Sequence, residues 1–312
     1  MTTDHFIQFG GPDVRFEEAD RAAVIVLPIY YEMAPSYGAG SGRGADHILR
    51  ASLELECMDE ETLADWGGIG IHTASVLAPS ADADTALQQI RQTASKYMGT
   101  GGFLLSVGGD HAVTIGLAAA AGEAFEDVGL LQIDAHLDLR DQYNGSRNNH
   151  ACVMRRVAED MKLPFVQVGI RSVAPEEGAY IREKGLRPFF AHDLDASDNG
   201  WMDEAIDRLP ENVYLSLDLD GLDPSVVPGT GTPEPGGLTY RQVVGLIRKL
   251  GARRRVVAAD INELAKIEGS QVSEFAAAKL AAKIIVYCAM GERARKPIPT
   301  PTPTPKKPSA AK

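Results

Sequence analysis

Six short runs rich in β-branched and apolar residues, at 23–27, 103–107, 129–133, 165–169, 214–217 and 255–259, alternate with longer stretches. Those stretches, at 85–97, 114–124, 151–160, 202–208, 240–250 and 272–290, carry apolar residues at helical spacing. Short continuous apolar runs read as strands buried on both faces, which only a sheet covered by helices on both sides provides. The alternation therefore predicts an α/β fold with a mostly parallel central sheet. A 312-residue chain that is 44% hydrophobic can bury one such core, and 1–295 is expected to form a single domain. From Lys296 the composition becomes KPIPTPTPTPKKPSAAK, which packs no core and is expected to be a disordered tail, 296–312.

The chemistry sits where the runs end. Val107 leads into GGDH (Gly108 to His111), Ile133 into DAHLD (Asp134 to Asp138), Gly169 into IRS, Leu217 into DLDGLD and Ala259 into DINE. In a parallel sheet these are all carboxyl ends, so they meet at the edge where open α/β folds place their sites. Period-2 spacing turns Asp134, His136 and Asp138 to one side of a strand end, and Asp218 and Asp220 likewise. With His111 these make four carboxylates and two imidazoles as potential metal ligands. Clustered carboxylates cannot all ionise without cations, and two divalent ions would neutralise them. A set rich in carboxylate and free of cysteine suits Mn²⁺, with Ni²⁺, Co²⁺ or Zn²⁺ as alternatives. Two such ions share a water and lower its pKa, giving a hydroxide nucleophile near neutral pH. A capped loop would account for any one motif alone, but not for three strand ends together.

GGDH, DAHLD, SLDLDGLDPSVVPGTGTPEPGG and DINE, in this order, resemble the arginase and agmatinase (ureohydrolase) family over about Val24 to Val286. The resemblance implies a three-layer α/β/α fold and two Mn²⁺ per subunit, bridged by Asp134 and Asp218. His111 and Asp138 would complete one ion, His136 and Asp220 the other. It further implies that His150, in RNNHACVMRR, passes a proton to the departing amine and that Glu263 accepts hydrogen bonds from a guanidinium. Asn149 and Arg140 are the further substrate contacts expected beside them. On this reading hydroxide attacks the guanidinium carbon, and collapse, with proton transfer by way of Asp138 or His150, leaves urea and an amine.

After DAHLD the chain reads LRDQYNGSRNNHACVMRR, which looks like the agmatinase branch; agmatine would then give putrescine and urea. Arg140 and Arg147 could instead face the carboxylate of 4-guanidinobutanoate or a related guanidino acid such as 3-guanidinopropanoate, with guanidine and arginine as further alternatives. A structural Arg140 to Asp141 pair and a surface Arg147 are the plainer expectation. The chain departs from the family pattern at Ala112, Ala151 and Lys266, all around the pocket rather than among the ligands.

A net charge of -12 argues against nucleic acid or an anionic membrane as partner and favours a small cationic guanidino substrate. Three scattered cysteines without a CxxC pair, no basic-apolar leader and no long apolar run suggest a cytoplasmic protein. The glycine-rich GAGSGRGA (38–45) stands too far from the first strand to bind pyrophosphate and is expected near the substrate entrance. His5, His47, His72 and His192 are read as ordinary surface or helix residues. A binuclear phosphoesterase would need a cationic phosphate grip that is not evident, and a catalytically silent relative would have lost a ligand. The family favours a homotrimer or homohexamer; KLGARRR (249–255) is read as a solvated helix end.

Overall fold

The computed structural model describes residues 6–33, 35–194 and 197–291, so His5 and the tail expected from Lys296 lie outside the described residues. Eight strands form one sheet: β1 (Val24–Pro28), β2 (Ile71–Thr73), β3 (Phe103–Val107), β4 (Val128–Ile133), β5 (Phe165–Ile170), β6 (Phe189–Phe190), β7 (Asn212–Asp218) and β8 (Arg255–Asn262). Their order is β2-β1-β3-β8-β7-β4-β5-β6, and every pair is parallel. The last two strands fill the gap between β3 and β4. The four central strands are therefore those that end in GGDH, DINE, DLDGLD and DAHLD.

Among the described residues seven α-helices connect them, α1 (Gly44–Ser52), α2 (Ala83–Met98), α3 (Val113–Ala124), α4 (Val153–Arg156), α5 (Pro175–Lys184), α6 (Gly200–Asp207) and α7 (Tyr240–Arg253), and α8 (Val272–Ile284) follows β8. Alternation along a strand sends Val24 and Val26 to one core and Ile25 and Leu27 to the other. The first core takes Ile48 of α1, Met202 of α6, Leu246 of α7 and Leu280 of α8; the second takes Ile90 of α2, Leu117 of α3, Met154 of α4 and Tyr180 of α5. This is the expected layered α/β/α arrangement, with the sheet parallel throughout. Among the described residues no helix is long and apolar enough to cross a membrane.

Local signals set the helix ends. Asp82 accepts the Thr85 amide at 3.0 Å to start α2, and Thr239 and Gln242 exchange bonds in a capping box that starts α7. The helix expected over 151–160 is broken: a 3-10 turn (His150–Cys152) precedes α4, and a π turn (Val157–Met161) follows it. The Asn149 side chain, accepting the Ala151 amide at 3.0 Å, begins that turn and so sets where His150 points.

Candidate metal centre

Close contacts between neighbouring strand ends fix each candidate ligand. After β3, Gly108 and Gly109 take φ of 86° and 87°, and a Cβ on Gly108 would stand 2.4 Å from the Ala45 nitrogen. Only glycine passes there, and the turn delivers His111 to the sheet edge. Its amide donates to Glu263 Oε1 at 2.7 Å, while the Glu263 amide donates to Gly109 O at 3.0 Å, zipping β3 to β8. Glu263 holds a left-handed φ of 61°, a strain these two bonds sustain. A Cβ on Gly221 would meet the Asp134 nitrogen at 2.8 Å, so the ends of β4 and β7 also stand close.

The expected period-2 pleat is not what gathers the Asp134, His136 and Asp138 side chains. β4 stops at Ile133, and the chain then turns, with Asp138 at a left-handed φ of 51°. Asp134 itself braces the turn by accepting the His136 amide at 2.6 Å. Asp218 closes β7, but Asp220 lies in a 3-10 turn, Leu219–Gly221. The convergence is as expected; turns after the strands produce it.

Two ligand-bearing groups result: His111, Asp134 and Asp218, and Asp134, His136 and Asp220, sharing Asp134. In the first, His111 Nδ1 lies 3.0 Å from Asp134, 2.8 Å from Asp138 and 3.3 Å from Asp218. In the second, His136 Nδ1 lies 3.1 Å from Asp220 and 3.5 Å from Asp134. Asp218 thus falls in the first group alone, whereas the resemblance implies a bridging role for it.

His111 Nδ1 is buried and makes no hydrogen bond, although three carboxylates crowd it. Its other nitrogen, Nε2, lies 3.0 Å from Ser216 Oγ. Atoms that ligate one ion at bonds of about 2.1 Å sit about 3 Å from one another, which is the spacing around Nδ1. Electrostatics agree. Burial and the neighbouring Asp134 raise Asp138 to about 7, and burial with Asp220 and Asp134 raises Asp218 well above the carboxylate range. Although burial opposes its charge, His136 is lifted to about 12 by Asp220 and Asp134. Protons on imidazoles offset charge that hard cations would neutralise, so the donor set fits two divalent ions.

Behind His111 lies a buried polar network that the sequence reading did not assign. Ser216 Oγ donates to Asp260 at 2.9 Å, and Asp260 also accepts from Thr114 at 2.9 Å, Tyr214 at 2.5 Å and Asn262 at 2.9 Å. Polar residues at 214, 216 and 218, alternating on an otherwise apolar strand, were the available signal. On the other flank Gln167 donates to Gln132 at 2.7 Å, and Gln132 to Asp134 at 2.6 Å.

A cleft opens over the two groups, lined by residues that include Ser36, Asp110, His111, Asp138, His150, Asp220 and Glu263. Gly38 and Ser41 of the glycine-rich segment also line it, as expected of an entrance loop. His150 Nε2 lies 2.8 Å from Ser36 Oγ, its ring edge-on to Tyr143, and burial lowers it to about 4, so the imidazole is neutral. The two further residues expected at the substrate are both engaged with protein groups. Asn149 is buried, and its side-chain oxygen accepts the Ala151 amide at 3.0 Å. Arg140 turns away to Glu176 at 2.7 Å and stacks on Tyr143. The expected Arg140 to Asp141 pair is also absent among the described residues: Asp141 pairs with Arg156 at 2.7 Å and with Arg147 at 3.6 Å. Arg147 is exposed, as expected.

Residues 22–288 match the Arginase family. The chain is 40% identical over 280 residues to the N(1)-aminopropylagmatine ureohydrolase of Synechocystis, covering 87% of this chain and 91% of that one. It is 39% identical to the protein of the same name from Thermus thermophilus, covering 91% and 93%. The crystal structure of agmatine ureohydrolase of Thermoplasma volcanium superposes with a TM-score of 0.82 at 30% identity, covering 93% of this chain and 96% of that one. Since the match takes in every strand of the sheet and both ligand groups, the chain belongs to the arginase family of ureohydrolases.

Proposed function

We infer that this chain hydrolyses a guanidinoalkylamine of the agmatine type, releasing urea and, from agmatine, putrescine. The observation that carries this is the cleft lining: besides the carboxylates assigned to the cations, Asp110 and Glu263 face it, and no Lys or Arg among the described residues lines it. Such a wall attracts a substrate that is cationic at both ends and offers nothing to a carboxylate tail. The names of the Synechocystis and Thermus relatives favour a second reading, in which the alkylamine carries a further aminopropyl arm.

In this reading His111, Asp134, His136, Asp138, Asp218 and Asp220 hold two Mn²⁺, with Ni²⁺ or Co²⁺ as alternatives. A cation pair there supplies Lewis acidity that lowers the pKa of water toward neutrality. Glu263 is placed to accept two N–H bonds from the planar guanidinium and to orient its carbon over the two groups. Asp138 takes the proton that the attacking water gives up. His150, neutral and backed by Ser36, relays a proton to the departing amine. A cytoplasmic setting and assembly into a homotrimer or homohexamer belong to the same proposal.

The test is urea release by the Mn²⁺-loaded chain, repeated with Ni²⁺. Agmatine, N(1)-aminopropylagmatine, arginine, 4-guanidinobutanoate, 3-guanidinopropanoate and guanidine are compared. Turnover of either amine, abolished in Asp134→Ala, is expected. Turnover of a guanidino acid in preference to both amines would overturn the substrate reading.

A further inference from the structure

Arg171, the residue after β5, belongs to the one polar strand end, IRS, that the site described so far leaves without a role. Its guanidinium makes seven hydrogen bonds, all to backbone carbonyls. Nη2 donates to Asp220 O at 2.6 Å, to Glu234 O at 2.7 Å and to Leu222 O at 3.3 Å. Nη1 donates to Gly169 O at 3.1 Å and Gly221 O at 3.3 Å. Nε donates to Glu234 O and Pro235 O, each at 3.2 Å. No ion pair to a carboxylate accompanies them among the described residues. A half-buried cation that satisfies itself on main-chain oxygens alone is a clamp on chain path.

The segments it clamps are those that build the second ligand group. The carbonyls of 220–222 belong to the turn bearing Asp220, and those of 234–235 to the loop that also presents Thr232. The Thr232 hydroxyl donates to Asp220 Oδ2 at 3.1 Å. From the other side, the Arg171 and Ser172 amides donate to Ala135 O at 2.8 and 3.0 Å, and Ser172 bridges to His136. Ala135 lies between Asp134 and His136. Arg171 makes no comparable contact with His111, whose support is Ser216 and Asp260.

We propose that Arg171 is a positioning residue that assembles the second ligand group, its guanidinium fixing the Asp220 turn and its backbone fixing the Asp134 to His136 segment. The inference rests on the binuclear reading and adds that the two cation positions have separate supports. Because Asp134 serves both groups and the backbone bonds to Ala135 do not depend on residue type, the selective hold is the guanidinium's grip on the Asp220 turn, and its loss weakens one cation position far more than the other. Lysine cannot replace it, because a single ammonium offers three donors on a flexible stem where a planar fork of five is used.

The full-length chain, stripped of cations, is titrated with Mn²⁺ by calorimetry and electron paramagnetic resonance. Wild type should take up two ions and show a spin-coupled pair. In Arg171→Lys one ion should weaken by about tenfold or more, the other staying within about twofold, and the coupled signal should give way to that of an isolated ion. The ion retained should match the one retained by His136→Ala. Should the lysine variant fold poorly, Arg171→Gln, which keeps a planar amide with two donors for the same carbonyls, is titrated in its place. One-sided loss in either variant supports the proposal. Equal weakening of both ions, or no change in either, overturns it. A wild type that binds fewer than two ions would overturn the binuclear reading itself.

Discussion

Ser216 Oγ stands 3.0 Å from His111 Nε2 and donates to Asp260 at 2.9 Å, so a single hydroxyl links a candidate ligand to a buried carboxylate. Since the hydroxyl gives its own proton to Asp260, it accepts from Nε2, which leaves Nδ1 to offer its lone pair to a cation when one is bound. Groups that orient a ligand in this way typically control metal affinity by about 10- to 100-fold. Ser216→Ala should weaken Mn²⁺ binding at the His111 position by that order. It should also cost about 1–3 kcal/mol of stability, because Nε2 and an Asp260 oxygen each lose a buried partner. Cation titration with thermal unfolding reads both; unchanged affinity would remove the hydroxyl from the account.

Glu263→Gln keeps an oxygen to accept the His111 amide and removes only the negative charge. Cation uptake should therefore be unaltered. Losing a charge-assisted pair with the guanidinium removes about 1.5–3 kcal/mol, so kcat/KM should fall roughly 10- to 100-fold. Steady-state kinetics alongside metal analysis separate the two effects. A variant that loses its cations, or one that keeps full kcat/KM, would contradict the assigned role.

How far this site could be read from the sequence depends on the distance over which each cue acts. Asp134, His136 and Asp138 were legible because five residues of sequence hold the whole pattern, although a turn rather than a pleat gathers them. The edge strands Ile71–Thr73 and Phe189–Phe190 are too short to show a period. α1 opens at Gly44 inside a glycine-rich stretch that reads as loop, and α5 buries only Glu177 and Tyr180. The partner of Arg140 is Glu176, 36 residues on, where the neighbouring Asp141 was the nearer guess. The strand end IRS was legible as a polar insertion, but the role of Arg171 was not, because main-chain carbonyls leave no mark on residue identity.

Without cations, the protein should lose stability as the solution turns alkaline. Burial raises Asp138 to about 7, with Asp134 adding to it, and raises Asp110 to about 6, with Glu32 adding to it; both carboxyls start from 3.8. Each binds its proton more tightly when folded. Its contribution is therefore complete below 3.8 and gone once the pH has risen through the folded value. His136, held at about 12, acts in the same direction from 6.5 upward. His150, lowered to about 4, acts oppositely, but its effect is complete by 6.5. The melting temperature of the stripped chain should thus fall between about pH 6 and pH 8.5, and excess Mn²⁺ should restore it. A stripped chain that melts higher at the alkaline end would refute the sign.

Lys283 of α8 lies 1% exposed and 2.5 Å from Asp59, itself 2% exposed, with Glu60 at 2.9 Å. Asp59 also accepts the Thr62 amide and hydroxyl, so the pair anchors an irregular segment to the helix, and neither residue lines the cleft. Taking away one partner strands the other charge without water, which typically costs about 3–5 kcal/mol, whereas taking away both strands neither. Lys283→Met should therefore lower the melting temperature by about 10 °C in a chain of this size, leaving kcat unchanged in the surviving fold. The double variant Lys283→Met with Asp59→Asn should be less damaged than the sum of the two single ones. Additivity in that cycle would mean that the charges are not coupled and that packing alone holds the segment.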